Sequence, residues 1–184
     1  MISTTKLLRA GSAGLFLLAA GCSRFSSMWE SSDPKLPSDG NIAAIVLAAN
    51  STDISYAKLV PARAQAQSIK DFASRMLTDH NAVDRSVRDL LDRLKLEPRD
   101  NSTSLDFRDE STTKRDLMRE LEGRAFDSTY IANEISYHTK LLDALDKVLI
   151  PDARNPQLKQ ALIQIRPAVA AHLAHAQRVQ SGLH

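Results

Sequence analysis

Three histidines and two carboxylates are the residues of this chain whose types and positions could do chemistry: His80, His138, His172, Asp53 and Glu134. Each falls on an otherwise apolar stripe of helical period. His80 continues the series Ile69, Phe72, Met76 and is followed by Val83, Val87, Leu90 and Leu94. Glu134 and His138 stand between Tyr130 and Leu141, Leu145, Val148, and His172 between Leu158, Leu162, Ile165, Val169 and Ala176, Val179. Asp53 shares a stripe with Ile42, Ile45, Ala49, Tyr56 and Val60. Imidazole and carboxylate groups gathered in an apolar interior suit Zn, Fe, Cu or Mn. The same residues also fit a purely structural part, in which the histidines are satisfied by neighbours such as Asp79, Asp127, Tyr130 or Asp53 and set the register of the packing. A buried polar group without a partner costs about 1–3 kcal/mol, so such a network would serve specificity of folding.

The elements that must position these groups are four long helices. Residues 69–94 contain neither Gly nor Pro and form the central one. A helix from Ser38 or Asp39, either of which can cap it, to about Ala66 precedes it, kinked near its end by Pro61, which lacks a backbone donor. The connection at 65–68 is so short that the two are antiparallel neighbours. Asp53 and His80 each lie about thirteen residues from that turn, hence at one level of the bundle. A third long helix is expected from Phe126 to Ile150 and a fourth from Gln157 to Val179, with Pro167 kinking it. About the turn between these two, His172 is level with Glu134, with His138 one turn nearer the turn. The polar stretch 97–113, broken by Pro98, reads as a long crossover, followed by a short helix over 114–122 that stops at Gly123. Its Asn101-Ser102-Thr103 is a glycosylation sequon in form only, given the bacterial leader described next.

Residues 1–21 carry Lys6 and Arg9 ahead of an apolar run of about a dozen residues, too short to span a bilayer, which reads as a signal peptide. Its end, Leu18-Ala19-Ala20-Gly21-Cys22, resembles the bacterial lipobox, in which the Cys is lipidated and becomes the new N-terminus. Cys22 is the single cysteine of the 184 residues. The resemblance implies a lipid anchor in the cell envelope, and Ser23 after the Cys implies transfer to the outer membrane, with the protein facing the periplasm. Residues 22–38, rich in Ser and Pro, read as a tether, and 39–181 as the helical domain.

Other functions score poorly. Of 24 basic residues, Lys6 and Arg9 leave with the leader, so 22 face 22 acidic ones; phosphate binding needs a cationic surplus, so no nucleic-acid partner is expected. There is no Gly-rich phosphate loop, no His-Glu-x-x-His and no Cys-x-x-Cys-His, and the reading leans against an enzyme. Met76 lies on a helix stripe, where Met is a core residue before it is a haem ligand.

Three blocks carry a family resemblance: Phe72-Ala73-Ser74-Arg75-Met76-Leu77-Thr78-Asp79-His80; Phe126-Asp127-Ser128-Thr129-Tyr130 with His138 beyond; and Pro167-Ala168-Val169-Ala170-Ala171-His172-Leu173 with Ala176 beyond. They resemble the exported bacterial proteins grouped as domain of unknown function 4142, a branch of the ferritin-like four-helix bundles, and Asn50 with Asp53 stands where that family has an Asn followed by Glu. The resemblance implies an all-α, ferritin-like antiparallel four-helix bundle and an extracytoplasmic address, without an activity. Ferritin-like di-iron centres use Glu-x-x-His pairs on two helices; here Glu134 and His138 are four apart, and neither His80 nor His172 has a Glu three residues before it. Two readings stay open: an envelope protein with a structural, stress-related or binding role and no catalysis, and a divalent-metal-binding protein.

Overall fold

The computed structural model describes residues 37–183. The leader, Cys22 and most of the tether lie outside the described residues. Every regular element among those described is helical: α1 (Asp39–Ala57), α2 (Val60–Arg63), α3 (Gln67–Leu94), α4 (Ser102–Arg119), α5 (Gly123–Ala144), a π turn (Leu145–Leu149), α6 (Ile150–Asp152) and α7 (Pro156–Ser181). No described helix is long and apolar enough to cross a membrane. The architecture is the expected all-α bundle. α3 packs between α1 and α7, α7 packs on α5, and α4 lies along α1.

Of the crossover expected at 97–113 and the short helix expected at 114–122, residues 102–119 are instead one 18-residue helix, α4. The cause is local. Asn101 caps it, its side chain accepting from the backbone N–H of Ser104 at 3.0 Å while the Ser104 hydroxyl accepts from the backbone N–H of Asn101 at 3.0 Å, a reciprocal box that Asn and Ser form as well as the commoner Ser and Glu. The sequon is therefore a helix start. Phe107, Ser111 and Met118 face inward from α4, and Lys140 of α5 pairs with its Glu110. With α3 on one side and α4 on the other, α1 is buried nearly all round, which accounts for its unbroken apolar run from Ile42 to Ala49.

Helix ends are tied across the bundle. Ser38 caps α1, and Asp39 reaches away to accept the backbone N–H groups of Arg154 (2.8 Å) and Asn155 (3.0 Å) ahead of α7. α3 begins after Ala66, which has no capping side chain; Asp127 of α5 supplies one, accepting from Gln65 N–H at 3.1 Å and Ala66 N–H at 2.8 Å. Pro61 sits in the first turn of α2, where its missing donor is harmless, so the expected kink is a break between α1 and α2. Gly40 is required for a different reason: a Cβ there would lie 2.8 Å from the carbonyl oxygen of Glu97, which crosses the start of α1. α5 begins at Gly123, three residues before the expected start, using the positive φ of 58° that glycine takes freely. Pro167 lies inside a continuous α7.

Candidate functional site

All five residues singled out by periodicity are buried and lie within about one helical turn of each other, with His172 beside His138 and not level with Glu134 as counted from the sequence. Asp53, Glu134 and His138 are 0% exposed, His80 4% and His172 7%. They come from α1, α3, α5 and α7. The rings of His80, His138 and His172 lie 5.3 to 5.9 Å apart, centre to centre. One nitrogen from each lies within 4.8 Å of the others, and one atom each of Asp53, Glu134 and His138 forms a second such group, so the two groups meet at His138. The equal level counted for Asp53 and His80 holds: Asp53 Oδ2 is 3.4 Å from His80 Nε2 and 3.5 Å from His138 Nε2. The inward turn of Glu134 brings its Oε2 to 3.5 Å from His138 Nδ1.

The polar neighbours of each imidazole decide what it offers. Asn50, three residues before Asp53 and so on the same face of α1, donates from Nδ2 to the His80 carbonyl at 2.8 Å, which orients its amide so that Oδ1 faces the ring and accepts from His80 Nδ1 at 2.8 Å. The Glu134 carbonyl accepts from His138 Nδ1 at 2.9 Å. Asp79 Oδ2 accepts from His172 Nε2 at 2.9 Å and from Arg75 Nε at 2.6 Å. Each partner is an acceptor, so each of these nitrogens carries a proton. The other ring nitrogens, His80 Nε2, His138 Nε2 and His172 Nδ1, have no hydrogen-bond partner among the described residues.

The carboxylates complete the picture. The carboxylate oxygens of Asp53 and Glu134 are buried and make no well-formed hydrogen bond, the two carboxyl groups facing each other and the Tyr130 hydroxyl facing Glu134. Burial pushes Asp53 up to about 7 against a lowering contact with Glu134, and burial, with Asp53 beside it, pushes Glu134 upward as well. Burial also pushes His80 down to about 3, with His138 and His172 adding to it, and His138 down to about 4. His80 and His138 are thus neutral imidazoles beside a carboxyl pair at mildly acid pH, where a proton shared by Asp53 and Glu134 relieves their repulsion.

Of the neighbours weighed for a structural network, only Asp79 serves a histidine through a hydrogen bond. Asp127 caps α3, the Tyr130 hydroxyl is directed at Glu134 and not at a histidine, and Asp53 stands beyond hydrogen-bond distance from both rings. Sequence reasoning named Asn50 without giving it a task; its spacing from Asp53 was the available signal. The arrangement gathers buried His, Asp and Glu groups positioned to hold a metal ion.

Comparison with known proteins adds a family and no activity. No curated protein and no solved structure matches the chain. The model of the domain of unknown function DUF4142 matches residues 26–179, which take in the whole of this centre, and the chain therefore belongs to the DUF4142 family.

Proposed function

We propose that this chain is a lipid-anchored protein of the cell envelope whose bundle binds one divalent transition-metal ion between His80, His138, His172 and Asp53, with Glu134 at its edge. The observation that carries the reading is the set of three imidazoles, each held by an acceptor at one nitrogen and each presenting its other nitrogen unpartnered and buried. Acceptors behind the ligating rings are the habitual outer support of metal-bound histidine. Ligands about 2.0–2.1 Å from a tetrahedral ion stand roughly 3.3–3.4 Å from one another, and the distances from Asp53 Oδ2 to the two Nε2 atoms are 3.4 and 3.5 Å.

Charge supports the same reading. Asp53 and Glu134 would bury two negative charges with no cationic side chain facing them, at a cost of several kcal/mol, and a divalent ion neutralises both. A structural network, the competing reading, leaves those oxygens and three ring nitrogens unsatisfied. The ion would displace the protons held by the carboxyl pair, so affinity rises with pH through the range near 7 where Asp53 titrates. The role is binding, without an assigned catalysis.

The test is elemental analysis and calorimetric titration of the untagged domain with Zn²⁺, Fe²⁺, Cu²⁺ and Mn²⁺. The expected result is one ion per chain, lost in the His80→Ala, His138→Ala double variant. No bound ion and an unchanged thermal midpoint with all four metals would overturn the reading. The anchor is tested by Cys22→Ser, which moves the protein from the membrane fraction to the soluble one; retention in the membrane refutes lipidation.

A further inference from the structure

The chain has three tyrosines, and all three are buried beside the centre. Two of them turn their hydroxyls elsewhere: Tyr137 donates to the Ala49 carbonyl, and Tyr56 faces Ser111 of α4. Tyr130 alone among them aims its hydroxyl at the carboxyl pair, facing Glu134 one turn along α5. Its ring is fixed. Phe126 stacks on it at 5.8 Å and 7°, and Phe72 meets it edge-on at 6.2 Å, all three residues being 0% exposed. A phenylalanine would fill the same space between those rings, and it would avoid burying a hydroxyl without another partner, which costs about 1–3 kcal/mol. The hydroxyl therefore adds nothing to the packing and answers to Glu134. Burial, with Glu134 and Asp53 beside it, pushes the phenol well above its ordinary range, so it keeps its proton and meets the carboxylate as a donor.

Glu134 is close enough to the centre to join an ion there: one atom each of Asp53, Glu134 and His138 lie within 4.8 Å of one another. Yet its Oε2 sits 3.5 Å from His138 Nδ1, the nitrogen bonded to the Glu134 carbonyl, and not beside the unpartnered Nε2. We infer that Tyr130 is the positioning residue that holds Glu134 there, its hydroxyl donating to the carboxylate, so that Asp53 alone supplies an oxygen to the ion and coordination stays at four. The inference rests on the metal reading above, and it adds selectivity. Three imidazoles and one carboxylate around a closed four-coordinate site suit Zn²⁺, whereas Mn²⁺ favours an octahedral set of oxygens. Freed from Tyr130, Glu134 turns to the ion, and its oxygens raise the coordination number.

Co²⁺ is the probe, because a tetrahedral Co²⁺ site lacks a centre of symmetry and absorbs visible light several-fold more strongly than one of higher coordination number. The native chain is expected to give the intense four-coordinate spectrum and Tyr130→Phe a several-fold weaker one, with its preference for Zn²⁺ over Mn²⁺ reduced about 10-fold in competition titrations. Adding Glu134→Leu to Tyr130→Phe is expected to restore the intense spectrum, because the carboxylate that joined the ion is gone. Tyr137→Phe, which removes a hydroxyl bonded to Ala49 instead, should keep the native spectrum and preference. Native behaviour in Tyr130→Phe, no recovery in the double variant, or the same loss in Tyr137→Phe would overturn the inference and leave the metal reading standing. A native chain that takes up neither Co²⁺ nor Zn²⁺ overturns both. If Tyr130→Phe does not fold, the metal-free chain carrying ¹³C at the tyrosine Cζ positions decides. The Tyr130 signal is expected to move in Glu134→Leu by more than those of Tyr56 and Tyr137, and an unmoved Tyr130 signal would overturn the inference.

Discussion

Replacing Asp53 by Asn separates a metal ligand from a structural ion-pair partner by the sign of its effect. In the metal-free protein Asp53 titrates near 7 instead of 3.8 because it is buried. The folded pKa lies above the unfolded one, so folding is unpenalised below the unfolded value and loses stability as pH rises through the folded one. A difference of about 3 units at 1.36 kcal/mol each is a penalty of roughly 4 kcal/mol once pH exceeds 7, a ceiling because Asp53 shares its proton with Glu134. At pH 5 the same relation leaves about 1.7 kcal/mol. Asp53→Asn removes the charge and keeps the shape, so its stability relative to the native chain should rise by roughly 2.5 kcal/mol between pH 5 and pH 8. Urea unfolding of both proteins at the two pH values, with chelator present, measures it. At pH 5, Zn²⁺ at 100 times its dissociation constant should reverse the order, because it stabilises the native chain by about 2.7 kcal/mol, more than the penalty there, while the variant has lost a ligand; at pH 8 it should narrow the gap. A variant that is less stable than the native chain by the same amount at both pH values, with or without metal, would refute the reasoning and return Asp53 to a structural part.

The remaining predictions concern the groups that support the centre. Asn50→Ala and Asp79→Asn should each weaken metal binding about 10- to 100-fold in calorimetry without changing the far-ultraviolet spectrum, because each frees a ring to turn; Arg75→Ala, which acts on this centre through its ion pair with Asp79, should have a smaller effect. Asp127→Ala should cost about 1–3 kcal/mol, since two backbone N–H groups ahead of α3 lose their acceptor, and urea midpoints check it. Leu149→Ala, at a fully buried position, should cost about 2–5 kcal/mol, and urea midpoints check it.

The helical period alone put His80, His138, His172, Asp53 and Glu134 on inward stripes, because 3.6 residues per turn and an apolar series on either side leave one face for each. Counting residues from a short turn also set Asp53 level with His80, since rise per residue is fixed. The amphipathic pattern was enough for an all-α bundle. It was not enough for α4, whose polar residues belong to a helix that covers α1 with a narrow inward stripe, and whose start depends on an Asn and Ser box that is easily read as a loop. Nor does any period announce the π turn, which departs from the repeat that periodicity assumes.

What only the tertiary structure decided is the chemical state of each imidazole. The acceptor behind the His80 ring lies 30 residues away and the one behind His172 lies 93 away. Such pairings follow from how four helices are rotated and stacked, which local sequence does not encode. Sequence determined that the five groups would be inside together. The packing determined which nitrogen of each ring meets an acceptor, and it set the buried carboxyl groups of Asp53 and Glu134 beside those rings in positions that could hold a metal ion.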